Sequence, residues 1–147
     1  MKIYVARHGQ TDWNVRHLAQ GCTDVPLNET GIRRAEVLWK KLKDVRFTAV
    51  YASPLERAVK TAKIATGGQN EVFCDDRLIE RAFGDYEGSN SDDWVAVTGY
   101  DIDDLKINID IGGVETVVSV LERTKLFLDS IKPKFTDDEA ILIVTHS

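Results

Sequence analysis

The chain is 147 residues long, a one-domain length, and its 43% hydrophobic and 29% charged residues are ordinary for a soluble globular protein. Its formal net charge of −5 excludes a broadly basic surface for nucleic acid, although a local cluster of arginines can still receive a small phosphorylated molecule. No stretch approaches the about 20 consecutive apolar residues of a membrane span, and the N-terminal apolar run is broken by Arg7 and His8 too early for a signal peptide.

In chain order, Ile3-Tyr4-Val5-Ala6 reads as a short buried strand. A polar stretch from His8 to Thr30 follows, with Gly21, Asp24, Pro26 and Asn28 as turn formers. Ile32, Ala35, Trp39 and Leu42 recur at helical spacing among charged residues and predict an amphipathic helix. Thr48 to Ala52 is a second strand. Ser53-Pro54 then predicts a helix start, Ser as N-cap and Pro in the first position, with Leu55, Ala58, Ala62 and Ala65 on its inner face and Gly67-Gly68 at its end. Val72 to Cys74 is a brief strand. Ser89 to Gly113 is acidic and weakly periodic, with one short helix expected near Ser91. Glu115 to Ile131 is a strong helix with Val117, Leu121, Leu128 and Ile131 on one face, and Ala140 to Val144 is a continuous apolar strand.

Strands alternating with helices predict an α/β three-layer sandwich with a mostly parallel central sheet, in one domain spanning residues 1–147. Two cysteines, Cys22 and Cys74, are too few for a disulfide framework and lack the spacing of a zinc site, so two reduced thiols in a cytoplasmic protein are expected.

Ligands of such sheets bind at the carboxyl ends of the strands. There the chain places Arg7 and His8 after the first strand, Ser53 to Arg57 after the second, and His146 after the last. Singly, each has a bland reading: an arginine is mostly a solvated surface residue, and a lone histidine such as His17 is a loop residue. Together they deliver two histidines and two arginines to one edge. That set suits a phosphoryl group, whose charge calls for fixed cationic donors and whose oxygens match the guanidinium fork. Arg57 in a first helical turn adds free backbone N–H groups and the helix dipole. A neutral imidazole can attack phosphorus and split one displacement into two. The leaving oxygen then needs a proton, ordinarily from a carboxylic acid.

Several stretches make the family recognisable. Arg7-His8-Gly9-Gln10-Thr11-Asp12-Trp13-Asn14 resembles the RHGxTxWN signature of the histidine phosphatase (phosphoglycerate mutase-like) superfamily. Gly21 to Gly31, Ser53 to Ala62, Leu78 to Gly88 and Val144-Thr145-His146 are similar to that family's later elements, in the same order. The RHG element alone is moderately specific; five ordered elements along nearly the whole chain are strong. The resemblance implies a phosphoglycerate mutase-like fold with His8 as the phosphorylated nucleophile. It implies that Arg7, Arg57 and His146 hold the phosphoryl oxygens, with further phosphate or substrate contacts from Asn14, Gly21 and Thr23. Glu80 would be general acid and then base, Glu115 a supporting residue, and no metal or cofactor would be used.

Two departures stand out. Tyr86 occupies a position where Trp is commoner, and the chain ends at Ser147, where family members usually continue with a glycine-bearing turn and a helix. A fragment lacking its C-terminal helix, with apolar sheet surface left open, is therefore expected. The leading functional reading is a phosphomonoesterase of the histidine acid phosphatase type acting on a small phosphorylated metabolite. The net charge of −5 leaves no nucleic-acid partner expected, and the lack of an apolar span leaves no membrane expected; a homodimer stays open. A phosphoglycerate mutase is the runner-up, because the segment between Gly88 and Glu115 is shorter than a mutase insertion. A non-catalytic phosphate-binding fragment is the third reading.

Overall fold

The apolar residues after Met1 extend into β1 (Lys2–Arg7), the first of four strands in a computed structural model that describes residues 1–90 and 112–146. The expected short helix near Ser91 and most of the acidic stretch lie outside the described residues. The other elements are α1 (Asp12–Val15), α2 (Glu29–Leu42), β2 (Ala49–Ala52), α3 (Glu56–Ala65), β3 (Val72–Cys74), α4 (Val117–Ile131) and β4 (Ala140–Thr145). The strands pair in the order β1-β4-β2-β3, and every pairing is parallel. This is the α/β architecture with a parallel central sheet that the sequence predicts.

Alternation along the strands divides the core in two. Val50, Ala52, Leu142 and Val144 pack with Ala58, Ala62 and Ala65 of α3, backed by Leu38 and Leu42 of α2. The intervening residues Ala49, Ile141 and Ile143 face the other way, onto Phe127 and Ile131 of α4. Helices thus cover both faces, which is why β4 is apolar without interruption. Phe127 and Ile131 are 0% and 1% exposed, and each burial contributes about 1.5–3 kcal/mol.

Three expectations need correcting. β1 is not buried on both faces: Ile3 is 42% and Val5 67% exposed, because α4 sits over β2 and β4 and does not reach the edge strand. The inner face of α4 carries Phe127 and Ile131, whereas Leu121 and Leu128 are exposed. Finally, α3 begins at Glu56, not at Pro54. Ser53 is no N-cap, and Leu55 takes the cap position without a side-chain bond. The capping carboxylate comes from a distant loop: Asp24 accepts the Glu56 N–H at 2.8 Å. Among the described residues, no helix is long and apolar enough to cross a membrane.

Candidate active site

β1 and β4 pair in register, with Arg7 opposite Thr145, so the next residue of each strand leaves the sheet beside the other. Those residues are His8 and His146. The ladder extends one step further, His8 N–H donating to the Thr145 carbonyl at 3.0 Å. The two imidazoles lie 5.0 Å apart between ring centroids, tilted by 56°. On the other side of β4, the Ser53 N–H donates to the Val144 carbonyl at 3.0 Å, and three residues later α3 starts. Arg57 therefore rises beside the two histidines.

The His8 loop is built for close approach. A Cβ on Gly9 would lie 2.5 Å from the Gly31 carbonyl oxygen, and one on Gly31 would lie 2.2 Å from that of Gln10. Only two glycines let the loop and the start of α2 meet this way. The Gly9 N–H also donates to the Thr61 hydroxyl at 3.0 Å, and that hydroxyl donates to the Arg57 carbonyl at 2.7 Å. The nucleophile loop and α3 are thereby tied together.

His8 Nδ1 lies 2.7 Å from the Gly9 carbonyl. A carbonyl only accepts, so Nδ1 carries the proton and Nε2 is left with the lone pair. Burial, reinforced by the nearby Arg57 and Arg7 cations, depresses the His8 pKa to about 4. Burial first, then Arg57, His8 and Arg7, depress that of His146 to about 2. Both rings are neutral near pH 7, and His8 is a free base with a fixed tautomer.

Arg57 is fully buried. Its two terminal nitrogens donate to the Thr23 carbonyl at 2.7 Å and the Gly21 carbonyl at 2.8 Å. Its Nε and both His146 ring nitrogens are buried with no hydrogen-bond partner among the described residues. Three such nitrogens in one place are costly unless something polar meets them, at about 1–3 kcal/mol each.

The Gly21–Asp24 loop is held in turn by Glu87. Its carboxylate accepts the backbone N–H groups of Cys22 (2.9 Å), Thr23 (2.8 Å) and Phe83 (3.2 Å), together with the Thr23 hydroxyl. Gly21 has φ +49°, and a Cβ there would strike Glu87 Oε1 at 2.1 Å.

Glu80 contrasts with Glu87. Its Oε1 accepts the N–H of Arg81 at 2.9 Å, and its Oε2 stands 4.0 Å from His146 Nδ1. With the imidazole neutral this is a contact, not an ion pair. Burial pushes the Glu80 carboxyl above the usual range despite the opposing charges of Arg57, Arg7 and Arg123. Beside Glu80 and His146 a cavity of about 360 Å³ opens, walled by Val5, Phe127 and Ile143.

Of the residues singled out from sequence, His8, His146, Arg57 and Glu80 converge here. Arg7 stays exposed at the end of β1, close enough to act electrostatically on His8, His146 and Glu80. Asn14 closes a capping box: its side-chain carbonyl accepts the Thr11 N–H (3.0 Å) and hydroxyl (3.1 Å), leaving its amide end to donate. Gly21 and Thr23 reach Arg57 through their carbonyls, and the Thr23 donors are engaged with Glu87. His17 is an exposed loop residue with φ 55°. Cys22 and Cys74 are free thiols. No group of three His, Cys, Asp or Glu suited to a metal occurs among the described residues.

Sequence reasoning missed three supports. Glu87 stands inside a recognised motif but announces no role there. Asp24 caps a helix 32 residues away. Arg123, midway along α4, donates from Nε and Nη2 to Glu115 at 2.7 and 2.9 Å, and nothing local in the sequence marks it.

Comparison with known proteins places these features in a family. Residues 3–147 match the histidine phosphatase superfamily (branch 1). The chain is 35% identical over 152 residues to phosphoglycerate mutase-like protein 4 of Arabidopsis thaliana, covering 99% of this chain and 66% of that protein. It superposes on Bacillus stearothermophilus YhfR with a TM-score of 0.87 at 34% identity, over 98% of this chain and 73% of that one. It also superposes on the alpha-ribazole phosphatase of Shigella flexneri with a TM-score of 0.83 at 29% identity, over 99% and 74%. The matched proteins include both phosphatases and phosphoglycerate mutases. The chain spans two thirds or less of several relatives, 66%, 45% and 55% of their lengths.

Proposed function

The chain belongs to the histidine phosphatase superfamily, and we propose from that premise that it hydrolyses phosphomonoesters of small metabolites through a phosphohistidine at His8. One observation carries the reading. A neutral imidazole with a fixed tautomer lies beside three buried, unpartnered nitrogens of Arg57 and His146, within reach of a carboxyl whose pKa burial has raised.

The steps follow from these groups. Arg57, Arg7, His146 and the Asn14 amide receive the phosphoryl oxygens, replacing the partners that the buried nitrogens lack. His8 Nε2 forms a bond to phosphorus as the ester P–O bond breaks. Glu80, still protonated, gives its proton to the departing alkoxide. Water then enters; the Glu80 carboxylate takes its proton as the oxygen bonds to phosphorus and the N–P bond breaks. Inorganic phosphate leaves, and neutral His8 and protonated Glu80 are restored. Side chains supply every cation this sequence of steps uses, so it is expected to run with a chelator present.

Phosphotransfer to a second substrate hydroxyl is the rival reading. It is favoured by relatives such as the 2,3-bisphosphoglycerate-dependent phosphoglycerate mutase of Methylobacterium sp. (strain 4-46), 34% identical over 98% of this chain. The test is release of phosphate from 4-nitrophenyl phosphate with chelator, comparing parent and His8→Ala, together with trapping of an acid-labile phosphoryl-enzyme. Turnover and label both lost in His8→Ala are expected. Turnover that survives the substitution would overturn the assignment. Label passing to an added sugar or glycerate hydroxyl in preference to water would favour the mutase.

A further inference from the structure

We propose that Arg123, held by Glu115, is a positioning residue for the acid Glu80: it fixes the loop that carries the carboxyl. The proposal rests on the assignment of Glu80 as general acid.

The geometry is a splint across that loop. Arg123 and Glu115 form a two-point fork at 2.7 and 2.9 Å, both side chains 17% exposed. The remaining arm of Arg123 donates to the Arg77 carbonyl at 2.8 Å, three residues before Glu80. Glu115 takes the other side: its carboxylate accepts the Ala82 N–H at 3.3 Å, two residues after Glu80. Two further bonds lock the same strip, Glu115 N–H to the Ala82 carbonyl at 2.9 Å and Arg81 Nε to the Glu115 carbonyl at 2.7 Å. The Ser119 hydroxyl donates to Glu115 at 2.9 Å and orients the carboxylate. Glu80 therefore sits on a short span anchored at one end to Arg123 of α4 and at the other to Glu115, just before that helix. The N–H that it accepts, from Arg81, belongs to the same span.

The need for such a splint follows from Glu80 itself. A proton donor must reach the leaving oxygen to within hydrogen-bond distance. Among the described residues the Glu80 carboxyl takes only the bond from Arg81, and its other oxygen is 4.0 Å from His146, so its own contacts do not fix it. Its position is inherited from the backbone, and a displacement near 1 Å costs on the order of 10²-fold in rate.

The charged and titratable groups that face Glu80 come from every neighbouring element. They are Arg7 at the end of β1, Cys22 on the loop, Arg57 on α3, Arg81 on the adjoining residue, His146 after β4, and Arg123 on α4. Arg123 is one of the cations that favour the ionised carboxyl. Removing it lets Glu80 keep its proton to higher pH, which a purely structural role would not do.

The experiment measures release of alcohol in a single turnover from two phosphate esters, 4-nitrophenyl and a simple alkyl, by the parent chain, Arg123→Met, Arg123→Lys and Glu115→Gln. Nitrophenolate leaves without a proton; an alkoxide does not. For Arg123→Met, alkyl release is expected to fall about 10–100-fold, nitrophenol release to stay near the parent value, and the alkaline limb of alkyl release to move to higher pH. Arg123→Lys keeps the charge and loses the fork, so its limb is expected to stay in place while its rate falls between the two. Parallel loss on both esters, or an unmoved limb in Arg123→Met, overturns the proposal. If Arg123→Met fails to fold, Arg123→Lys and Glu115→Gln decide it: nitrophenol release spared and alkyl release impaired supports it, equal effects overturn it. Failure of the underlying assignment is separable, because the parent chain would then show no His8-dependent release.

Discussion

Replacing Glu80 by Gln should separate the two jobs assigned to one carboxyl. The change is nearly isosteric. Gln keeps a carbonyl oxygen to accept the Arg81 N–H, which the Glu80 carboxyl takes at 2.9 Å. It also replaces a carboxyl that burial favours in the neutral form by a neutral amide. The folded pKa lies above the ordinary 4.5, so the folded state binds the proton more tightly and parent stability falls as pH rises through that interval. Glu80→Gln escapes that loss, so its melting temperature should equal or exceed the parent's at neutral pH. Activity should respond differently by step. General acid catalysis contributes about 10²–10⁴-fold, or roughly 3–5 kcal/mol. That loss should appear in full for release of an alkyl alcohol. Release of 4-nitrophenolate needs no proton and should be nearly spared. Dephosphorylation uses the same residue as base, so the variant should give a burst of about one nitrophenolate per site and then stall with phosphohistidine accumulated. Rapid mixing with an acid-labile phosphate assay measures both quantities. Equal slowing of both esters, or no burst, would refute the role of Glu80 in either step.

Two further outcomes follow from the titrations. With His8 required neutral and Glu80 required protonated, kcat/KM should be bell-shaped: it rises as pH passes His8's value near 4 and falls above the raised Glu80 value, which a full pH profile on an alkyl ester checks. The buried neutral His8 should also weaken the fold in acid. Its folded pKa of about 4 lies below the ordinary 6.5, so the unfolded chain takes up the proton first and stability is lost as pH falls from 6.5 toward 4. Between pH 7 and 5 the parent should lose about 2 kcal/mol more than His8→Asn in urea titrations; identical slopes would show that His8 is not held neutral.

What the sequence disclosed and what it hid divide along locality. The inner face of α3 was readable because Ala58, Ala62 and Ala65 obey the helical period and meet β2 and β4 directly. The convergence of His8, Arg57 and His146 was readable because a parallel sheet presents all its carboxyl ends on one side. Places where a distant residue wins over a local signal were not. Ser53-Pro54 carries the signature of a helix start, yet Asp24 supplies the cap two residues further on. Leu121 and Leu128 fit the apolar period of α4, but which residues meet the sheet is decided by where α4 lies over β2 and β4, and Phe127 and Ile131 take that place. Ile3 and Val5 carry the apolar pattern of a strand but stay exposed, because α4 packs on β2 and β4. Glu87 and Arg123 act in part through partners 46 to 65 residues away, and no spacing rule carries such information.

Three glutamates near one loop show what does distinguish a reacting group from a supporting one. Glu87 accepts four donors and Glu115 accepts a guanidinium fork, a hydroxyl and an N–H. Burial opposes ionisation of Glu115, yet the bonds from Arg123 and Ser119 hold its carboxyl below the usual range. The carboxyl oxygens of each are engaged by these donors, which leaves little for a substrate. Glu80, equally short of solvent, has one donor to its carboxyl among the described residues and is pushed the other way. The same contrast separates the cations. Arg123 spends its fork on Glu115 and its last arm on Arg77, whereas Arg57 and His146 keep buried nitrogens without partners. A fold tolerates unsatisfied buried groups only where other contacts offset their cost, and here the saturated pairs surround the unsatisfied ones. Glu87 holds the loop that holds Arg57, and Glu115 holds the arginine that holds the loop of Glu80. Hydrogen-bond satisfaction, more than residue type, marks which members of this cluster remain available to a phosphoryl group.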